Sequence, residues 1–292
     1  MTGTREAIPK PRPILERRIL RGLADLHYLS GAQLTRLLVG PKSDAYVRRH
    51  LAPLEREGLI RHDFRQLRRT NAGPTEHYYY LTVKGMQWLA GEGITVPIRT
   101  PLAAKRTLFQ EHMILVNNTI IAACEWSRME PERITVETIG HETVLKRDPL
   151  VIPVDGKPVR YAPDAWLTIG IRGENALNLL VECDRGTEKE EQWRGKIACL
   201  MAGWTAQIRE RFGTDRFTAL IVVNTGEGED KDRIRAGQLI AWTRAELRAR
   251  GKQAWGDNLL FTACDPATHS GQRFFTHAVA TATFGSERIP IL

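Results

Sequence analysis

Residues 179–196 read LLVECDRGTEKEEQWRGK. Four apolar side chains, Leu179, Leu180, Val181 and Cys183, share this segment with Glu182 and Asp184, and Glu188 follows at once. Side chains alternate along a strand, so Glu182 and Asp184 share a face with Leu180, while Val181 and Cys183 point the other way. Such a segment must sit inside a sheet, with its acidic end compensated by solvent, a counter-charge or a cation. A helix follows it. Trp193, Ile197, Leu200, Met201, Trp204, Ile208 and Phe212 form one apolar stripe, and Glu188, Gln192 and Lys196 lie beside it at i, i+4 and i+8.

The surrounding pattern predicts an α-β-β-β-α-β order followed by further α/β elements. A long helix is expected from about Ala103 to Ser127, then a strand at RITVETIG and a loop of about twenty residues. A strand from Asp164 (YAPDAWLTIGI) turns at Gly173–Glu174 into ALNLLVECD. A hairpin centred there puts Asp164 across from residue 183, and a shift of one residue would align it with Glu182 or Asp184. RFTALIVVNTG reads as a buried strand, followed by a helix near Asp232–Arg250 and a strand at NLLFTAC.

Residues 1–100 differ in charge. They carry 17 basic and 9 acidic side chains, which accounts for the whole net charge of +8, because the remaining 25 basic and 25 acidic residues cancel. A basic module fused to a neutral one has a polyanion as its usual partner. In the basic part, Ile14, Leu15, Ile19, Leu23 and Leu26 fall near helical spacing. A second helix is expected after Ser30 as N-cap with Gly40 as its stop, and a third after Ser43 as cap. Tyr46, Val47, Leu51 and Leu54 are expected to face inward on that third helix, and Pro53 to sit inside it. A returning strand at HYYYL and another helix complete a winged helix-turn-helix. Lys42, Ser43, Tyr46, Arg48 and Arg49 are expected to face the major groove. Arg61, Arg65, Arg68 and Arg69 are expected on a wing with its tip at TNAGP. A solvated basic face is the plainer alternative. Tyr78, Tyr79 and Tyr80 read as strand residues, since no HxH pair accompanies them.

Three carboxylates brought to strand ends repel unless a cation lies between them. Oxygen donors of this kind suit Mg²⁺ or Mn²⁺. Asp164, Glu182 and Asp184 are therefore the candidate metal ligands, with Lys196 placed to stabilise negative charge. The alternative is a solvated strand end, with Thr187 capping the next helix and Glu188, Glu190 and Glu191 favouring its dipole. His112 and His141 read as packing or surface residues.

Pro163-Asp164 followed by Glu182-Cys183-Asp184 resembles the PD-(D/E)xK nuclease superfamily, whose core is αβββαβ. The lysine of that pattern is Asp184 here, and Lys196 or Lys189 on the following helix would replace it. Over almost the whole chain, EHMILVNN, YAPDAWLTI and LLVECDRGTEKEEQWRGKI resemble the replication-relaxation family of plasmids and integrative elements. The resemblance implies a DNA-binding protein of replication, relaxation or mobilisation that nicks one strand with metal help. It implies Asp164, Glu182 and Asp184 as metal ligands, Glu188 and Lys196 in support, and Glu111 as a further acid. A non-catalytic replication or transcription regulator with a degenerate nuclease fold is the rival.

The expected fold is thus α/β (α+β overall). A winged helix over 1–95 and a linker over 96–104 precede a restriction-endonuclease-like αβββαβ domain over 105–292. Double-stranded DNA is the expected partner, and a second copy of the chain is a further candidate. No apolar run reaches the ~18 residues of a membrane span, and the N-terminus has no apolar leader. The four cysteines lack CxxC spacing and are expected as free thiols in the cytoplasm. No membrane and no small-molecule cofactor are expected.

Overall fold

A computed structural model describes residues 12–40, 43–65, 76–96, 107–203, 207–276, 279–282 and 288–290. The chain forms two compact units that divide between Ala103 and Ala104.

The first unit runs α1 (Ile14–Leu26), β1 (Leu29–Ser30), α2 (Gly31–Leu38), α3 (Asp44–Arg56), β2 (Ile60–Arg65), β3 (Glu76–Leu81) and α4 (Val83–Gly91). Its sheet has the order β1-β3-β2, and both pairings are antiparallel. The stripe on α1 is Leu15, Ile19, Leu23 and Leu26, all buried. Ile14, expected in it, is 77% exposed, because it stands a hundred degrees round the helix from Leu15. Val47, Leu51 and Leu54 bury α3 against the core, but Tyr46, expected inward with them, is 47% exposed.

Ser30 accepts from the Gln33 backbone, and the Gln33 side chain accepts from the Ser30 N–H, a complete capping box. Gly40, at φ 120°, lets its N–H reach back to Thr35 O and so closes α2. Ser43 differs from the expectation: it precedes α3 at φ −118° and ψ 24°, away from extended cap geometry, and its hydroxyl makes no cap bond. Pro53 lies inside α3 without ending it. Tyr78 and Tyr80 are buried strand residues, and Tyr78 stacks on Tyr28 at 5.0 Å.

The second unit is mixed α/β, as the alternating patterns predicted. It runs α5 (Thr107–Met129), β4 (Ile134–His141), α6 (Glu142–Leu145), β5 (Leu150–Val154), β6 (Lys157–Tyr161), β7 (Ala165–Ile171) and β8 (Leu177–Asp184). Then come α7 (Glu190–Gly203), α8 (Gln207–Phe212), β9 (Thr218–Val223), α9 (Glu229–Ala249), β10 (Leu259–Thr262), α10 (Gly271–Thr276), β11 (Val279–Ala282) and β12 (Arg288–Pro290). The expected twenty-residue loop is instead a short helix and the β5–β6 hairpin, whose turn uses Asp155 and Gly156 at positive φ. The single long stripe divides between α7 and α8, and Trp204 lies outside the described residues.

Seven strands pair in the order β12-β11-β10-β9-β8-β7-β4. β8, β9 and β10 are parallel neighbours, flanked by antiparallel strands. Leu180, Trp193, Ile197, Ile221, Leu239 and Phe261 join one face of the sheet to α7 and α9. α5 packs on β4, β7 and β8, and α10 packs on α5. Their approach is close: a Cβ on Gly271 would fall 1.9 Å from Ala122 O. Among the described residues β4 pairs with β7 alone, and its register slips between Val136 and Thr138 in a bulge at Glu137.

The two serines give a direct test. Ser30→Ala should cost about 1 kcal/mol in urea unfolding, whereas Ser43→Ala should lie within about 0.5 kcal/mol of wild type. Equal losses would contradict the capping described.

Candidate functional site

The β7–β8 hairpin builds the centre of the site. Its pairs, Ala165↔Val181 and Trp166↔Leu180, set a register that brings Asp164 opposite Glu182 one step further on. This is the one-residue shift that the hairpin arithmetic allowed. Two bonds hold Asp164 there: its N–H donates to Val181 O at 3.1 Å, and its Oδ2 accepts from the Cys183 N–H at 2.9 Å. Asp164 and Glu182 are both buried, at 4% and 1% exposure.

Glu182 has two side-chain donors. Tyr161 Oη, from the end of β6, donates to Oε1 at 2.6 Å, and Lys196 Nζ, from α7, donates to Oε2 at 2.8 Å. Lys196 also pairs with Glu188. Asp164 Oδ1 lies 3.0 Å from His112 Nε2 of α5 and 3.7 Å from Lys146 Nζ. Glu142, the first residue of α6, is fully buried; it pairs with Lys146 and lies 3.7 Å from His112 Nε2. One donor atom each from His112, Glu142 and Asp164 lie within 4.8 Å of one another. Two buried carboxylate oxygens here, Glu142 Oε1 and Glu188 Oε2, have no hydrogen-bond partner. A buried acceptor left so costs about 1–3 kcal/mol.

The charges shape one another. Burial raises Glu182, and the neighbouring Asp164 adds to that against the opposing pull of Lys196, so it is pushed up to about 7. Burial also disfavours the Asp164 carboxylate, but His112, Lys196 and Lys146 outweigh it and hold the group below the usual range. His112 is pulled down by burial, yet Asp164 and Glu142 raise it overall. Burial works against the Lys196 ammonium as well, and Glu182, Asp164 and Glu188 keep it charged. Tyr161 is held neutral by burial and by Glu182.

The other residues expected at the centre have different partners. Asp184 is buried and accepts a forked pair from Arg235 of α9, at 2.8 and 3.1 Å, and the Gly186 N–H at 2.9 Å. Arg235 also donates to the Glu188 carbonyl at 2.7 Å, so it ties α9 to the segment between β8 and α7. Glu111 pairs with Arg185 at 3.1 Å, and Arg185 donates in turn to Asn224. Thr187, expected as a cap, precedes α7 by three residues. The helix entry is instead fixed by Gln192, which accepts from the Lys189 N–H. His141 bonds Asn117 at 3.0 Å. The cysteines are free thiols.

Sequence reasoning missed His112, Glu142, Lys146, Tyr161 and Arg235. His112 adjoins Glu111, the acid it did single out, but one step round the helix turns the side chain to Asp164. Glu142 and Lys146 lay within a segment read as strand end and loop.

In the first unit, Arg48, Arg49, Arg61 and Tyr46 are exposed, and Ser43 is half-buried. Arg48 pairs with Asp44 of the same helix, and Tyr46 meets His50 edge-on at 5.2 Å. Lys42, Arg68, Arg69 and the TNAGP tip lie outside the described residues, as do the linker beyond residue 96 and the side chain of Arg65.

A family model described as replication-relaxation matches residues 20–210, most of the chain. The chain therefore belongs to the replication-relaxation family. The matched span holds His112, Glu142, Asp164, Glu182 and Lys196, and Arg235 falls beyond it. No curated protein matches the chain, and no solved structure does. No described helix is long and apolar enough to cross a membrane.

The proton balance of this cluster is measurable in stability. Glu182 titrates near 7 in the fold against 4.5 ordinarily, so the native state holds the extra proton in that window. Stability should fall as pH rises from 4.5 to 7 and level off above. His112, raised above 6.5, contributes stability that is present below 6.5 and lost as pH rises through its folded value. Urea unfolding in EDTA from pH 5 to 8 should lose the first slope in Glu182→Gln and the second in His112→Asn. Unchanged slopes in both would refute these couplings.

Proposed function

We propose that this protein is a DNA-processing member of its family, in which the first unit binds duplex DNA and the second cleaves one strand with a divalent metal. The observation that carries the proposal is the neighbouring pair Asp164 and Glu182, with the Lys196 ammonium 2.8 Å from Glu182. An acid pair at the start of one strand and the end of its neighbour, with a lysine beside it, fits metal-assisted phosphodiester cleavage.

The donor set fits a hard divalent ion, Mg²⁺ or Mn²⁺. Four carboxylates, Glu142, Asp164, Glu182 and Glu188, meet two ammonium groups, Lys146 and Lys196. With Glu182 ionised, as above pH 7, one negative charge remains even with His112 protonated, and two buried carboxylate oxygens are unpartnered. Asp164 and Glu182 would hold the ion; Asp184 is engaged by Arg235 and supports the strand end. When bound, the ion would supply Lewis-acid polarisation of the phosphodiester and a more acidic water. Lys196 is positioned to neutralise charge building on a phosphoryl oxygen. Tyr161 fixes one Glu182 oxygen and Lys196 donates to the other, so a bound ion would share that second oxygen with the ammonium.

For the first unit, three helices, an antiparallel hairpin and a fourth helix support the winged-helix reading. The outer side of α3, with Arg48, Arg49 and Tyr46 exposed, would enter the major groove. Arg61, with Arg65, Arg68 and Arg69 of the same segment, would follow the phosphate backbone. One observation favours the rival, a non-catalytic regulator: Asp184 stands where the nuclease pattern has lysine, and it is neutralised by Arg235.

Supercoiled plasmid incubated with Mg²⁺ or Mn²⁺ should be converted to open circles. Asp164→Asn should abolish nicking, and Lys196→Met should slow it about 100-fold or more. No nicking with any divalent ion, or nicking unchanged in both variants, would leave the regulator as the reading.

Binding to duplex DNA should weaken steeply with salt, by about 0.9 log units per log of salt for each phosphate engaged. Replacing Arg48, Arg49 and Arg61 together by Ala should lower that slope by about one per lost contact. Fluorescence anisotropy across a salt series reads it, and an unaltered slope would exclude this surface.

A further inference from the structure

We infer that His112, Glu142 and Asp164 form a cation site whose nitrogen donor selects Mn²⁺ over Mg²⁺. The inference rests on the metal-dependent reading above for the role of the ion, though not for its binding.

The three donors come from three separate elements, α5, the start of α6 and the start of β7. Their donor atoms lie within 4.8 Å of one another. Donors around a first-row ion at about 2.0–2.2 Å stand at most about 4.4 Å apart, so closing on an ion needs only small side-chain shifts. Nε2 is the atom of His112 that faces both acids, at 3.0 Å from Asp164 and 3.7 Å from Glu142. Independently of that clustering, Glu142, whose Oε2 faces His112 and Lys146, keeps its second carboxylate oxygen buried and without a hydrogen-bond partner. The other Glu142 oxygen and Asp164 Oδ1 share Lys146, whose side chain is 46% exposed. A bound ion would take the place of that ammonium and satisfy the orphan oxygen together.

Donor chemistry decides which ion. Mg²⁺ favours an all-oxygen shell and keeps several waters. An imidazole nitrogen suits first-row transition ions, while carboxylates suit Mg²⁺, Ca²⁺ and Mn²⁺. Mn²⁺ accepts both donor types. Asp164 belongs to this set and also adjoins Glu182, so the ion would sit beside the proposed reaction centre.

The test uses the full chain labelled with ¹⁵N-histidine and titrated with Mn²⁺. Pulsed EPR should show a ¹⁵N coupling from one histidine, absent in His112→Asn. Mn²⁺ affinity should fall at least about tenfold in His112→Asn and in Glu142→Gln, and Mg²⁺ should displace Mn²⁺ only in large excess. A wild-type spectrum without nitrogen coupling overturns the inference whether or not the variants fold. So does a coupling that survives in His112→Asn, or equal competition by the two ions. Nicking with Mg²⁺ and no nitrogen coupling would sink this site and leave the nuclease reading. A nitrogen-coupled Mn²⁺ without nicking would do the reverse.

Discussion

The backbone pairing of β7 with β8 is the constraint on which the site depends. With Ala165 opposite Val181, Asp164 arrives beside Glu182. A slip of one residue would turn the strand's side chains to the other face, and neither Tyr161 nor Lys196 would then meet Glu182. The register is secured on both sides of Asp164, by its own N–H on Val181 and by the Cys183 N–H on its carboxylate. Trp166 and Leu180, the next pair along, belong to the core that holds α7, the helix carrying Lys196. Packing and chemistry therefore share one hairpin.

Two buried acids two residues apart on β8 have been given different treatment. Asp184 is closed: a forked guanidinium and a backbone N–H satisfy it, and removing one member of such a buried pair costs about 3–5 kcal/mol. Glu182 is open. Its partners include an ammonium shared with Glu188, its charge is partly suppressed near neutrality, and oxygens nearby lack donors. A strand end that needed only stability would repeat the first solution. The second leaves electrostatic cost at the centre of the site, which is the cost the proposed cation would relieve.

Much of the fold was legible because its signals are local. The apolar run of β8, the stripe of α7, the Ser30 cap and the Gly40 stop each rest on residues within a turn or two of one another. Asp164, Glu182 and Lys196 were legible as well, since hairpin arithmetic and helical spacing carry them. His112, Glu142 and Lys146 were not, because α5 and α6 meet β7 only through tertiary packing, which leaves no periodic trace. Arg235 escaped for the same reason, lying 51 residues from the acid it neutralises. Ser43 and Thr187 show the converse error: both are suitable cap residues, but the Ser43 backbone does not take the extended cap geometry and Thr187 stands three residues before α7.

The bulge at Glu137 reaches beyond β4 itself. The Glu137 side chain folds across Gly170 of β7, where a Cβ would stand 2.4 Å from Oε1 and leave no room. A strand so kinked, with an acid at its break, offers an incoming β-strand no continuous ladder. Among the described strands the sheet thus ends in a built-in stop against self-templated aggregation, and a glycine on the neighbouring strand makes that stop possible.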